Sequence, residues 1–221
     1  SEAILGQVAE SYRKIRNTFR YLLANLYDFN PRTDRRPVRE LAEVDRWALD
    51  RTCKLRETVT RAYDAYQFHD VVRAVYQFCV LDLSSFYLDV LKDRLYTEAA
   101  TSPARRCAQT VLYDILTTLV KLLAPILAAT TDEVWQLLRE THGVQEPSVH
   151  LAEWPDALAE GLDEAGRGRW AVFLSVRDVV MKALEAERAR GVIGSPLEAK
   201  VTLRVSDRGL QRAFETHRDA L

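Results

Sequence analysis

The segment Ser11–Phe29 reads SYRKIRNTFRYLLANLYDF and continues a pattern of apolar side chains that begins at Ile4. The apolar residues recur at alternating spacings of four and three, which places them on one face of a helix. That face holds Ile4, Val8, Tyr12, Ile15, Phe19, Leu22 and Leu26. The pattern predicts a helix from Ile4 to Leu26 that buries this whole face in a protein core.

The same helix carries a second stripe, which is basic. Arg13, Arg16, Asn17 and Arg20 lie roughly 130° round from the apolar face by the 3.6-residue period. A helix with only a structural role more often mixes both signs of charge on its exposed face. The basic stripe therefore predicts ligands for phosphate groups. The alternative is a solvated basic face that binds nothing.

The first two thirds of the chain predict an antiparallel helix bundle, since only one of the eight glycines occurs before residue 143. The predicted helices are Ile4–Leu26, Arg39–Tyr66, His69–Tyr96, Pro103–Leu127 and Asp132–Thr141. Ser102 before Pro103 is typical of a helix start, and residues 130–133 (TTDE) read as a capping box. Pro125 should kink or end its helix, because proline removes a backbone donor and crowds the preceding turn.

The remaining third differs in composition, since it holds seven of the eight glycines. We predict three parts: a helical bundle over 1–142, a connector and helix over 143–192, and an incomplete small α/β subdomain over 193–221. A helix around Trp170 should run to about Arg190 and stop at Gly191. Leu197–Val205 alternates apolar and polar residues, which predicts a half-buried strand, and a short helix should follow over 208–217. One strand cannot pair its own edges, so the subdomain lacks its other strands.

Composition indicates a self-contained protein with a sizeable core, since the chain has 221 residues and 48% hydrophobic content. The net charge of −1 is unevenly spread: residues 1–39 hold eight Arg or Lys against four Asp or Glu. A local positive field favours an anionic partner, and ordinary charge scatter is the alternative. The sequence has no signal-peptide layout and no long uncharged apolar run, so we expect a cytoplasmic protein with no membrane partner.

Catalytic and metal-binding motifs are absent from the sequence. Cys53, Cys79 and Cys107 stand 26 and 28 residues apart, which favours buried free thiols over a metal or redox site. The four histidines have no metalloprotease spacing, and no glycine-rich phosphate loop occurs. We therefore expect no cofactor and no metal in this chain. The sequence has no group of residues that would support a free-standing hydrolase or metalloenzyme.

The blocks of this sequence resemble, in order, those of the isoleucyl-tRNA synthetases in their bacterial form. SYRKIRNTFRYLLANLYDF is similar to the first helix of the family's anticodon-binding domain. The further similar blocks are DRWAL (Asp45–Leu49), Tyr66–Thr97, Leu112–Trp135 and IGSPLEAKV (Ile193–Val201). The valyl and leucyl enzymes share this helical domain, but FYLDVLKDRLYT is more similar to the isoleucyl branch.

The resemblance implies a fold, a partner and a division of labour. The fold is an all-α antiparallel bundle of the class Ia anticodon-binding type. The partner is the anticodon stem-loop of tRNA(Ile), with no DNA and no second copy of the chain, so we expect a monomer. Amino-acid activation with ATP and Mg²⁺ belongs to a catalytic domain whose HIGH-type and KMSKS-type motifs are absent here. Many bacterial isoleucyl enzymes also have a C-terminal zinc knuckle, which this sequence lacks as well.

The resemblance also assigns candidate tRNA-binding residues. They are Arg13, Lys14, Arg16, Asn17, Arg20, Tyr21, Asn25, Phe29, Arg32, Arg35 and Arg36. The cations suit phosphate oxygens, Asn17 and Asn25 suit a base edge, and aromatic rings suit base stacking. In the valyl enzyme an aromatic near the end of this helix stacks on an anticodon base. Phe29 is its counterpart by position, with Tyr27 as a second aromatic, and either ring could instead belong to the core.

Several alternatives remain at this point. Arg32, Arg35 and Arg36 could form a solvated loop rather than contact the anticodon stem. Arg105 and Arg106 lie in the first turn of a helix, where positive charge is unfavourable, and an RNA phosphate could offset them. Lys92, Asp93 and Arg94 are assigned structural roles. A helical protein-interaction module is the second class of function that the sequence permits.

Overall fold

The computed structural model describes residues 2–158, 161–195, 198–205, 211 and 214. The chain divides into two compact units, Ser1–Gly161 and Leu162–Leu221. In the described part of the first unit the long helices are α1 (Glu2–Ala24), α2 (Glu43–Asp64), α3 (Phe68–Gln77), α6 (Pro103–Leu123) and α7 (Ala128–His142). Between α3 and α6 lie a π-helical segment (Phe78–Tyr87) and two short helices, α4 (Leu88–Val90) and α5 (Lys92–Tyr96). The predicted all-α bundle is confirmed.

Hydrogen bonds between helices fix their relative directions. On α1, Lys14 meets Tyr76 and Tyr21 meets Leu88, so α1 runs parallel to the α3–α4 stretch. The α2 helix runs antiparallel to that stretch, because its residue Asp45 pairs with Tyr87 while its later residue Arg51 pairs with Asp82. The α6 helix runs opposite to α1, and α7 runs with α1. The C-terminal ends of α1 and α7 thus share one end of the bundle with the N-terminal ends of α2 and α6.

The apolar face of α1 is buried only in its second half. Ile15, Phe19, Leu22 and Leu26 are at most 3% exposed, as predicted. The first half was predicted wrongly, since Ile4, Val8 and Tyr12 are exposed. They border a groove of about 260 Å³ whose other wall comes from Val72 on α3 and from the α6–α7 turn. The apolar pattern of α1 thus begins before the part of the helix that the neighbouring helices cover.

The α6 helix forms the centre of the bundle, and its predicted beginning is confirmed. It begins at Pro103 after Ser102 and ends at Leu123, two residues before Pro125. Nearly its whole length is buried, including Gln109, which is fully enclosed. The predicted continuation to Leu127 was too long because proline ends the helix instead of kinking it.

The start of α7 was predicted wrongly. The helix begins at Ala128, so the TTDE sequence of residues 130–133 lies inside it instead of capping it. The Asp132 carboxylate accepts hydrogen bonds from the Ser148 hydroxyl at 2.7 Å and the Val149 amide at 3.1 Å. Asp132 therefore fastens the connector after α7. That helix ends at Gly143, whose φ of +67° is a left-handed conformation that glycine adopts without strain.

The helix predicted over His69–Tyr96 runs from Phe68 to Val90 with a long π-helical interior, and a turn at Leu91 separates it from α5. Ser84 Oγ donates to the Cys79 carbonyl, five residues earlier, which matches the wider π spacing. The whole stretch from Phe68 to Val90 is long and apolar enough to pass for a membrane span by composition. Its residues Val71, Val75 and Leu83 are fully buried against the neighbouring helices. The apolar composition therefore reflects a core helix.

The second unit is described from Leu162 with gaps. Its helix α8 (Glu164–Ala189) begins after Asp163, whose side chain accepts from the Gly166 amide, and ends before Gly191 as predicted. The predicted strand over Leu197–Val205 is wrong for its described residues, 198–205, which form no strand. No second strand in the described residues offers them backbone partners. Of the predicted helix over 208–217, only residues 211 and 214 are described, and both are helical; the proposed divisions at 142 and 192 stay predictions.

Candidate nucleic-acid interface

The basic stripe of α1 faces away from the core. Arg13, Asn17 and Arg20 are exposed, on the side of the helix opposite Ile15 and Phe19. Together with Arg16, the two arginines place three positive charges within eight residues, which gives this face a local positive field. The predicted separation of core and basic stripes is therefore realised in the structure.

Carboxylates partly neutralise the stripe on two sides. Arg13 lies 2.7 Å from Glu10, and its hydrogen bond lowers the pKa of that carboxyl. Arg16 lies 3.6 Å from Glu133 on α7. Arg20 has no ion-pair or hydrogen-bond partner in the described part of the chain. Exposed pairs of this kind are weak and exchange readily, so Arg20 is the most available cation and Arg13 and Arg16 can be recruited.

Lys14 and Tyr21 lie on the flank of α1 that faces α3 and α4. The Lys14 ammonium group donates to the Tyr76 hydroxyl at 3.2 Å and stands 5.6 Å from the centre of that ring. The Tyr21 hydroxyl donates to the Leu88 carbonyl at 3.2 Å. Burial is the main cause of the raised pKa of Tyr21, so its hydroxyl stays protonated at neutral pH. Both side chains help to join α1 to its neighbour.

Two candidate tRNA-binding residues are inside the core. Asn25 is 7% exposed; its amide nitrogen donates to the Tyr21 carbonyl, and its backbone carbonyl accepts from Gln109. Phe29 is 3% exposed and packs 5.9 Å from the Tyr113 ring. Neither can reach a base edge or a base face from these positions, so we correct both assignments to structural roles.

Tyr27 is the aromatic that the end of α1 presents to solvent. Its side chain is 77% exposed, and its ring centre lies 5.9 Å from the Arg105 guanidinium group. A guanidinium group near an aromatic ring attracts it electrostatically and favours a fixed ring position. The exposed ring suits base stacking better than the buried Phe29 ring.

A polar cluster beneath Tyr27 holds the end of α1 against α6. The Asp28 carboxylate accepts from Arg105 at 3.1 Å and from Gln109 at 2.6 Å, and it lies 3.6 Å from Arg106. Burial would raise the pKa of Asp28, but the hydrogen bonds from Arg105 and Gln109 outweigh it and the pKa is lowered. The suggestion that RNA phosphates offset Arg105 and Arg106 is therefore corrected, because Asp28 and Asp34 do so within the protein.

The loop after α1 contributes one readily available cation. Arg32 is exposed and has no ion pair in the described part of the chain. Arg35 lies 2.6 Å from Asp114 and 5.7 Å from the Tyr113 ring centre. Arg36 is partly buried, with its backbone amide bonded to Thr110 and its side chain 3.9 Å from Glu40. Arg32, Arg35 and Arg36 thus lie close to the end of α1 that carries Tyr27.

Residues 45–203 match the family described as the anticodon-binding domain of tRNA ligase. The chain belongs to this family. It is 52% identical over 205 residues to an isoleucine–tRNA ligase of Brevibacillus brevis and 50% identical over 203 residues to that of Moorella thermoacetica, each match covering 92% of this chain. The corresponding enzyme of Natranaerobius thermophilus is 45% identical over all 221 residues. The chain spans 22–23% of the length of these curated relatives.

In the part that the structure describes, no group of three or more His, Cys, Asp or Glu side chains is placed to hold a metal ion. The cysteines are free; Cys79 and Cys107 are buried, and Cys53 is half-buried. Burial raises the pKa of Cys79 to about 12, so its thiol stays protonated and unreactive.

The sequence contained a signal for which of the Tyr27 and Phe29 rings is buried. The core residues Leu22 and Leu26 are followed after three residues by Phe29, which continues the spacing of four and three. Tyr27 falls outside this pattern and is exposed. The role of Asp28 had no comparable signal, since it depends on two arginines almost eighty residues away.

Proposed function

We propose that this chain is the anticodon-binding domain of an isoleucine–tRNA ligase and that it positions tRNA(Ile) for aminoacylation carried out elsewhere in a longer protein. The observation that carries the proposal is the exposed arginine stripe of α1, which continues into the exposed Tyr27 and Arg32. ATP and Mg²⁺ would bind outside this chain. We expect the domain to act as a cytoplasmic monomer and to need no cofactor for tRNA binding.

Binding would combine phosphate contacts with base contacts. Arg13, Arg16 and Arg20 can each bind phosphate oxygens with a planar, two-pronged guanidinium group. Arg32 can do the same near the anticodon stem, while Lys14, Arg35 and Arg36 would first have to exchange their present partners. Asn17 can donate to and accept from a base edge. Anticodon bases splayed out of their stack could then meet the Tyr27 ring.

The direct test is a titration of the chain with a tRNA(Ile) transcript and an anticodon-swapped copy at two salt concentrations. Tighter binding to the cognate transcript, kept as salt rises, supports base reading by this domain. Equal binding of the two transcripts that weakens steeply with salt would mean that the domain contacts only phosphates. Absence of binding to both transcripts contradicts the proposal.

Replacing Arg16 and Arg20 together by alanine should weaken tRNA binding without lowering stability. Both side chains are exposed, and each lost phosphate contact should reduce the salt slope of log K by about 1. The matched control is Lys54→Ala with Arg61→Ala, two exposed cations on α2, which packs mainly on α3 and α6. Equal affinity losses in both double variants would mean that general charge, not the α1 stripe, governs binding.

Tyr27→Ala should lower tRNA affinity by about tenfold, because stacking is worth roughly 1–3 kcal/mol per base. The melting temperature should stay unchanged, since the ring is exposed. Tyr27→Phe keeps the stacking surface and should bind like the parent chain. Phe29→Leu changes the core and should lower the melting temperature while the folded protein keeps its affinity. If Phe29→Leu instead lowers affinity and Tyr27→Ala does not, Phe29 is the stacking residue.

One observation favours a protein-binding role as a second candidate. The exposed Ile4, Val8 and Tyr12 border the apolar groove at the end of the bundle opposite Tyr27. A protein contact there leaves the arginine stripe free, so the two functions do not exclude each other. Only failure of the tRNA titration would make protein binding the sole function of the chain.

A further inference from the structure

A groove of about 580 Å³ lies along α1 next to the arginine stripe. One wall is the flank of α1 with Lys14, Asn17 and Tyr21, and the other comes from the π-helical segment and α4 with Ser84 and Leu88. The volume falls in the range of sites that enclose small molecules. The groove belongs entirely to the first unit.

The groove is open because small side chains line the wide π-helical turn. Ser84 occupies the middle of this wall, between Val80 and Leu88, and its hydroxyl is turned back to the Cys79 carbonyl. A π-helical segment also widens the backbone at this point, and such segments often mark functional sites. Larger side chains on either wall would close the space.

The lining chemistry suits a nucleobase. Tyr21 and Leu88 provide an apolar floor that is held in place by the hydrogen bond between the tyrosine hydroxyl and the leucine carbonyl. Asn17 is exposed at the rim, where its amide can both donate to and accept from a base edge. Its position on α1 makes it part of the groove and of the arginine stripe.

The charges at the rim suit the backbone on either side of such a base. Lys14 lies on the α1 wall, and Lys92 lies across the groove, 2.6 Å from Asp89. Two ammonium groups and one carboxylate give the rim a net positive charge. An unstacked nucleotide would thus find an apolar slot for its base and cations for its phosphates.

We propose that the groove between α1 and the π-helical segment receives one unpaired, extruded nucleobase of the bound tRNA, with Asn17 at the base edge and Tyr21 and Leu88 below the ring. This inference rests on the proposed tRNA-binding function. It assigns base contacts to the flank of α1, in addition to the stacking surface at Tyr27.

Ser84→Trp tests the inference by filling the groove. The serine is an exposed residue in the middle of the groove wall, so the indole should occupy the slot without unfolding the bundle. We expect affinity for a tRNA(Ile) transcript to fall by about tenfold or more, since the extruded base loses its slot. Ser175→Trp is the matched control: it replaces another exposed serine that is hydrogen-bonded to its own helix, and it should bind like the parent chain.

A second measurement needs no mutation. On titration of the parent chain with the same transcript, the methyl resonances of Val80 and Leu88 should shift, because a base ring would lie against them. Parent-like affinity of Ser84→Trp, or unmoved methyl resonances in a chain that binds the transcript, overturns the groove and leaves the proposed function standing. Absence of any binding by the parent chain overturns both.

Discussion

Asp45→Ala should lower the free energy of unfolding by about 3–5 kcal/mol, because it removes one partner of a buried ion pair. Asp45 is fully buried in the first turn of α2. Its carboxylate accepts two hydrogen bonds from Arg94, at 2.6 and 2.7 Å, and one from the Tyr87 hydroxyl at 2.8 Å. Burial and the Asp45 charge keep the pKa of Tyr87 well above its usual value, so this hydroxyl remains a donor.

The measurement is urea-induced unfolding of the parent chain and the variant. Asp89→Ala is the matched control, because it also removes a carboxylate 2.6 Å from a cation but from a pair that is more than half exposed. It should cost at most about 0.5 kcal/mol. In the double variant Asp45→Leu, Arg94→Met, apolar packing should recover much of the loss, since no buried charge is left alone. A loss below about 1 kcal/mol for Asp45→Ala would contradict the role of the pair.

The helices of the first unit were predictable because their signals are local. Periodicity identified α1, proline fixed the beginning and end of α6, and Gly143 ends α7. The exposure of Ile4 and Val8 was not predictable, since an apolar side chain is buried only where another element reaches it. The π-helical spacing after Gln77 is likewise set by packing between helices and not by a local sequence signal.

The sequence was enough to predict which face of α1 carries the candidate site, but not which individual residues are exposed there. The α1 period correctly separated Arg20 from Phe19, because that separation follows from helix geometry alone. Whether Asn25 faces solvent depends on Gln109, which lies 84 positions along the chain. The charges of Arg105 and Arg106 likewise find their partners only after folding brings α6 to the end of α1.

Asp28→Ala should lower both the free energy of unfolding and the affinity for tRNA. This carboxylate stabilises the end of the bundle and also holds Arg105 beside Tyr27 in the proposed site. The side chains of Arg105 and Arg106 are only 7% and 11% exposed, and Asp28 is the acceptor that they share. Leaving them without that acceptor should cost about 3–5 kcal/mol. Tyr27 directly precedes Asp28 and lies beside Arg105, so its ring should lose its fixed position as well.

Urea unfolding and tRNA titration below the unfolding midpoint measure the two losses separately. Asp93→Ala, an exposed carboxylate on α5 at the same end of the bundle, is the control and should change neither quantity. Asp28→Asn keeps the shape and removes the charge. Since the folded pKa of Asp28 lies below its unfolded value, the stability it provides is present above the unfolded pKa and is lost as pH falls through the folded pKa.

The asparagine variant should therefore lack this component of acid sensitivity. If Asp28→Ala instead lowers stability while the folded variant binds tRNA like the parent chain, Asp28 supports the bundle without positioning Tyr27. The Tyr27 ring would then be held in its stacking position by the Arg105 contact alone. Loss of affinity in both Asp28→Ala and Tyr27→Ala, with little further loss when the two are combined, would show that Asp28 and Tyr27 act on the tRNA through the same contact.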